Sequence, residues 1–335
     1  MTEKNLKEFQ ETLSRHHDDL LKLVQDKSEG KPIHLEGTTV KDMLKAVSQF
    51  KEALEKIDEG TFGLCKVCHE DVELDRLYHD FTTDVCLSHY SDEEIKRLEK
   101  DLELTAELQR KLMPCCDPLI KDLQFAHFSR PAGIVSGDFY DFFTFGDNLQ
   151  GIIIADVMGK GLPAGILMAN LQAALKILGP QVDSLDELAK DLNQFFRNNI
   201  KVMGFISLCL VSLNTDKGIF EYCNAGHHPP LFRDDDKNEI HWLKPTGPAI
   251  GIIQDGHFEV RNFEIAENDL LLLYTDGLVE ARNDEGEEFG DERLYSYVQT
   301  NFQKPAQQFL DGLIKDAVRF SAKFHDDLTM MVVKM

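Results

Sequence analysis

The sequence predicts two unlike parts: helices around a small cysteine-rich module, then an α+β domain built on antiparallel strands. Three observations predict this. Apolar residues recur at helical spacing through residue 58 and again from 91 to 113. Cys65, Cys68 and Cys86 fall in one short segment between those stretches. Past Pro118 the chain turns into short β-rich runs with few helices between them, which argues for antiparallel pairing over a βαβ repeat.

Residues 2–26 and 38–58 read as a helical hairpin, the second helix placing Leu44, Val47, Phe50, Leu54 and Ile57 on one face. Gly and Pro in 28–37 break the two apart. Segment 60–90 is the compact module. Ser91 with Glu94 forms a capping box that opens a linker helix, and Pro114 ends it. The strand-like runs are QFAHFS, DFYDFFTF, GIIIADV, FISLCLVSL, GIFEYC, FEVRNFEI, DLLLLYTDG and LTMMVVKM. Helices are expected from Pro163, from Ser184 with a capping box closed by Glu187, and over 305–323. The expected divisions are 1–59, 60–90, 91–114 and 118–335.

Composition narrows the function classes. The apolar share of 42% with 22 Phe can fill a sizeable core. Acids outnumber bases 59 to 36, a net charge of −23, which disfavours nucleic acid because phosphate contacts need Lys and Arg. Clustered carboxylates do suit a hard divalent cation. No apolar run approaches the roughly 20 residues that span a bilayer, and MTEKNLKEFQ lacks a signal-peptide core, so a cytoplasmic protein without a membrane partner is expected. Of the remaining cysteines, Cys209 and Cys223 sit in strand-like runs as small core residues, and the adjacent pair Cys115 and Cys116 receives no role.

Four acidic motifs stand out in the C-terminal part: SGDFYD, ADVMGKG, YTDG and HDDLT. GIIIAD and DLLLLYTD place Asp156 and Asp276 where a strand leaves the sheet, and Asp326 stands just before a strand enters it. Strand-end carboxylates can converge on one rim, where two divalent metals would share them. Any single Asp-Gly or Asp-Asp is an ordinary turn. The set, with Gly137, Gly159, Gly161 and Gly277 permitting close backbone approach, says more.

SRPAGIVSGDFYDFF, IADVMGKGLPAGILMA, NAGHHPPLF, GPAIGI, LLLYTDGLVEARNDEGEEFGDERL and HDDLTMMVV resemble, in order, the motifs of the SpoIIE/RsbU branch of metal-dependent (PPM) serine/threonine phosphatases. The resemblance covers 118–335. It implies a sandwich of two antiparallel sheets flanked by helices, with two Mn²⁺ or Mg²⁺ ions at one end. By position, Asp138 would bind one metal, and Asp156 would bridge both with the Val157 carbonyl assisting. Asp276 and Asp326 would hold the second, with Asp327 the substitute for Asp326. Asp141 would orient water or cap a turn. Ser136 stands where the family often has glycine. His227 and His228 read as structural, because the prolines after them fix the chain. The resemblance further implies a phosphorylated STAS-type anti-sigma-factor antagonist as substrate, in a bacterial partner-switching pathway.

Cys65-x2-Cys68, 17 residues, then Cys86-x2-His89 is tetrahedral zinc spacing. Four protein ligands leave no open position, so the Zn²⁺ would be structural. His69 and His79 are out of register and expected in solvent. The stretch from Ala53 to Tyr90 resembles the zinc finger of DksA/TraR-type regulators, which implies RNA polymerase as a partner. No Asp-x-x-Asp-x-Ala tip motif precedes it, which argues against that partner. Two functions follow: a phosphatase controlled by its zinc module, or a transcription-associated zinc protein that uses the phosphatase domain for docking. Ile95, Leu98, Leu102 and Leu112 fit a heptad seam interrupted by Thr105 and Gln109, so residues 91–113 are the expected homodimer contact or an amphipathic helix packed on its own chain.

Overall fold

In a computed structural model the described residues are 5–335 except 8, 11, 15–16, 18–20, 23–39, 90, 115–119, 121–122, 147–148, 160, 200–203 and 322–323. Segment 28–37 and the pair Cys115 and Cys116 thus lie outside them. The chain divides into two compact units, Met1–Lys100 and Asp101–Met335.

In the first unit the described residues between 5 and 22 are helical. Helix α1 (Val40–Asp58) follows, then α2 (Leu74–His79) and the start of α3 (Asp92–Leu112). Phe9 and Leu13 pack with Ala53 and Ile57 of α1 and with Phe62, Val72 and Leu77 of the module. Leu44, expected on that apolar face, is half exposed. The rings of Phe9 and Tyr78 stack at 4.6 Å, and those of Phe50 and Phe81 at 4.8 Å. At the start of α3 the Ser91 amide donates to Glu94 at 2.8 Å and the Glu94 amide donates to Ser91 Oγ at 3.3 Å, the reciprocal box expected there.

The second unit is a four-layer sandwich. One sheet runs β1 (Gln124–Arg130), β10 (Leu328–Lys334), β9 (Leu270–Tyr274), β6 (Leu231–Asp234), β7 (Glu239–Trp242). The other runs β2 (Phe139–Phe145), β3 (Leu149–Val157), β4 (Ile206–Asn214), β5 (Ile219–Ala225), β8 (Arg261–Glu264). Every pairing within them is antiparallel. This is the α+β sandwich of two antiparallel sheets expected from the sequence.

Strand alternation explains why these runs are apolar nearly throughout. Leu271 and Leu273 face the inter-sheet core with Ile152, Ile154, Val211 and Met331, while Leu270, Leu272 and Tyr274 face an outer helical layer. That layer contains α6 (Asp276–Val279), α7 (Gly290–Asn301) and α8 (Ala306–Phe320). The other sheet is covered by α4 (Leu162–Leu178) and α5 (Leu185–Asn199), packed on Phe139, Phe143, Ile153 and Ala155. By length and composition the stretch Leu162–Gln181 could cross a membrane. It instead buries Ala164, Met168, Leu171 and Leu175 on the sheet.

Some expectations needed correcting. Strands β6 and β7 were not expected: each is four residues long, and Arg233 and Asp234 hide the pattern. Both are buried, Arg233 lying 4.3 Å over the Phe302 ring and Asp234 paired with Lys237 at 2.8 Å. Helix α7 was also missed. Ser184 and Glu187 do not form a reciprocal box, because the Ser184 hydroxyl donates to Asp186 at 2.6 Å and Glu187 accepts from the Asp183 amide at 3.3 Å.

Candidate active site

Three of the aspartates meet at one end of the sandwich. Asp156 is the penultimate residue of β3, Asp276 follows β9 by two residues, and Asp326 precedes β10 by two. All three line a pocket of about 550 Å³, together with Val157, Met158, Gly159, Phe205, Ser207, His227, His228 and Glu280. Glycines let the loops approach. A Cβ on Gly137 would lie 2.9 Å from the Val157 carbonyl, and one on Gly277 would run into the Asp327 carbonyl.

Asp138 is placed differently. It is 2% exposed and is not part of the pocket wall, and its Oδ2 accepts from the Thr275 hydroxyl at 2.7 Å. Burial, and then the charges of Asp156 and Asp327, hold its carboxyl well above the usual range against the pull of Thr275. Glu280 is raised too, by burial and by Asp276, Glu288 and Asp326. Carboxylates crowded until they resist ionising form a donor set that fits hard divalent cations.

Asp327 is not a spare ligand: its two oxygens accept from the Ala132 and Gly137 amides, each at 2.7 Å, and so tie the SGDFYD loop to the HDDLT loop. Asp141 is no water-orienting group. Strand alternation turns it to the outer face of β2, where it pairs with Lys176 of α4 at 2.7 Å and accepts from the Phe142 amide. Burial raises its pKa while Lys176 opposes.

Two residues with no assigned chemistry position the site. His227 is buried, its Nδ1 3.0 Å from Ser207 Oγ and its Nε2 3.2 Å from the Tyr274 carbonyl. A carbonyl only accepts, so Nε2 carries the proton and Nδ1 accepts from Ser207. Burial lowers its pKa to about 3, keeping the ring neutral. Because Ser207 pairs with Asp156 in register and Tyr274 leads to Asp276, this one imidazole fastens both sheets beneath the pocket. Gln109 of α3 grips the loop before Asp138: its Nε2 donates to the Ser136 carbonyl at 2.6 Å, and its Oε1 accepts the Ser136 amide at 2.9 Å. Its polarity had read as a seam defect; here it is buried against its own chain. Farther along α3, Leu112 also packs on its own unit's core, while Leu104 and Leu108 are more than half exposed.

In the first unit the ligand atoms of Cys65, Cys68, Cys86 and His89 all lie within 4.8 Å of one another. The sulfurs of Cys68 and Cys86 are 3.5 Å apart. Zinc–sulfur bonds of about 2.3 Å set tetrahedral edges slightly under 4 Å, so the donors fit Zn²⁺. Burial opposes ionisation of Cys65, but amides of Cys68, Cys86 and Val67 directed at its sulfur bring it down to about 6. His69 is exposed at φ 61 in the turn after Cys68.

A sequence model of the family described as Stage II sporulation protein E (SpoIIE) matches residues 146–335. The chain belongs to the SpoIIE family. Its C-terminal domain is a protein serine/threonine phosphatase domain of the PP2C type. Phosphoserine phosphatase RsbU of Bacillus subtilis is 27% identical over 241 residues, 71% of each chain. Protein IcfG of Synechocystis is 29% identical over 272 residues, 71% of this chain and 42% of that protein. Among solved structures, the SiaA-PP2C domain of Pseudomonas aeruginosa superimposes with a TM-score of 0.63 at 19% identity, covering 72% of this chain and 98% of that one. That likeness is one of fold. The SpoIIE match begins after Asp138, which the strand ends of the sandwich nonetheless bring beside Asp156.

Proposed function

We propose that this chain dephosphorylates phosphoserine or phosphothreonine on a STAS-type anti-sigma-factor antagonist, in a partner-switching pathway, using two Mn²⁺ or Mg²⁺ ions. The observation that carries the reading is the convergence of Asp156, Asp276 and Asp326 on one pocket with Asp138 buried behind it. The similarity to phosphoserine phosphatase RsbU, which runs over 71% of both chains, supports the choice of substrate.

Asp138, Asp156, Asp276 and Asp326, with the Val157 carbonyl, would hold the metals. When bound, the ions would supply Lewis acidity that activates water and neutralises the phosphoryl oxygens. The chain's own residues fix the geometry. Thr275 occupies one oxygen of Asp138, Asp327 locks two loops together, and His227 holds the ends of β4 and β9 in register. Zn²⁺ on Cys65, Cys68, Cys86 and His89 would order the N-terminal module, which would act on the catalytic domain as a regulatory input. Homodimerisation through residues 91–113 would bring two catalytic domains under one input.

Phosphorylated STAS proteins from the same genome, incubated with the full chain and Mn²⁺, should release phosphate, and EDTA should stop the release. Failure to hydrolyse any of them, or a chromogenic phosphomonoester such as p-nitrophenyl phosphate, would overturn the reading.

A further inference from the structure

The walls of the carboxylate pocket are chemically one-sided. His228 and Glu280 line one part of it, and Met158 and Phe205 line another. Met158 is 42% exposed and Phe205 40%. Apolar exposure continues outward from them to Ile252 and Ile253, each at least half exposed. The backbone makes these residues neighbours. The Met158 amide donates to the Phe205 carbonyl at 3.1 Å, Ile206 and Ile250 exchange two hydrogen bonds, and a Cβ on Gly251 would lie 3.9 Å from the Phe205 Cα. Scattered exposed apolar residues need no explanation, but a contiguous group at the mouth of a polar site does.

The display is also built. Asn193 of α5, itself buried, donates to the Ile253 and Gln254 carbonyls at 2.9 and 3.1 Å and accepts the Gly251 amide at 2.8 Å. Arg197 donates to the Gly251 and Ile252 carbonyls, each at 3.2 Å. Two polar side chains thus satisfy the turn's backbone and leave its two isoleucines in solvent. A turn free to relax would tuck those side chains in.

We infer that this rim docks a phosphoprotein segment carrying a large apolar side chain near its phosphoserine or phosphothreonine. The inference rests on the phosphatase reading and names what the substrate must present beside its phosphate. The rim is continuous with the pocket the phosphate enters, so an extended segment, rising about 3.3 Å per residue, reaches it within about four residues. The acidic chain cannot attract an anionic substrate by its overall charge, and apolar contact supplies affinity that charge does not.

The test uses full-length protein with Mn²⁺ and two phosphopeptides that differ only in carrying Leu or Ser at the flanking positions, with p-nitrophenyl phosphate as a third substrate. The Leu peptide should show a kcat/KM roughly tenfold higher. The double variant I252S/I253S should bring the ratio of the two peptides close to one. Equal turnover of both peptides by the wild type, with p-nitrophenyl phosphate hydrolysed, overturns the docking inference alone. No turnover of any of the three overturns the phosphatase reading and the docking inference with it. A fall in oligomeric mass of the double variant with the peptide ratio unchanged assigns the rim to a second copy of the chain and overturns the inference.

Discussion

The two donor clusters differ in what holds them together. Cys65, Cys68, Cys86 and His89 come from one short stretch, and Cys65 and Cys86 are themselves part of the small core they stand in. Asp138, Asp156, Asp276 and Asp326 come from loops that the chain separates widely. They rest on a sandwich whose cores are made of other residues. The first cluster is therefore part of its fold, while the second is carried by a fold that does not need it. A metal should be a structural member in one place and a tenant in the other.

Removing zinc makes the largest test of that contrast. Structural zinc contributes on the order of 10–16 kcal/mol in small fingers, so Cys68→Ser or chelation should unfold residues 60–90. The sandwich should keep its melting transition, as followed by calorimetry. A protein purified without chelator that contains no zinc by metal analysis would break the comparison.

Asp156→Asn provides the counterpart. Turnover with Mn²⁺ should fall by more than the roughly 100-fold typical of losing a residue that only supports a ligand. The metal-free domain should melt no lower than wild type, since one of a set of repelling carboxylates has gone. Activity within tenfold of wild type would remove Asp156 from the site.

Gln109→Ala asks whether α3 belongs to the aspartate site as well as to the linker. It strands two backbone groups of Ser136, at about 1–3 kcal/mol for each buried group left unpaired. Mn²⁺ affinity by isothermal titration calorimetry should weaken together with stability. A loss of stability with unchanged affinity would reduce Gln109 to a packing residue.

His227 sharpens the comparison through pH. Its pKa is about 3 in the folded state against 6.5 ordinarily, so the unfolded chain takes up the proton first as pH falls. Its contribution is complete above pH 6.5 and is lost progressively toward pH 3. Between pH 7 and 5 that loss is about 2 kcal/mol. In urea denaturation, His227→Gln should lose less stability than wild type over that interval by about this amount. Identical pH slopes would refute the neutral, buried assignment.

The smallest effect separates the two helix starts. Ser91→Ala breaks a reciprocal box and should cost about 1 kcal/mol in the first unit. Ser184→Ala removes a hydroxyl bonded only to the Asp186 side chain among the described hydrogen bonds, and should change stability by less than about 0.5 kcal/mol. Equal losses by thermal denaturation would show that the sequence signature, not the geometry, carries the energy.

The sequence alone determined what is local. Zinc-type spacing, the Ser91 box, the alternating strands and the strand-end positions of Asp156, Asp276 and Asp326 each depend on residues a few positions apart. Their physics needs no tertiary partner. Tertiary structure decided what depends on distant residues. Which aspartate anchors a loop turned on the amides that Asp327 meets at Ala132 and Gly137. That Asp141 leaves the site followed from Lys176 on a helix packed across its strand. That His227 fastens two sheets, and that Gln109 is a contact instead of a defect, depended on Ser207, Tyr274 and Ser136 arriving from elsewhere. Strands β6 and β7 stayed hidden for the same reason: a buried Arg233 reads as surface until Phe302 and Asn238 are seen against it. Polar residues are ambiguous in a sequence because their burial is acceptable only with partners, and folding alone supplies those partners.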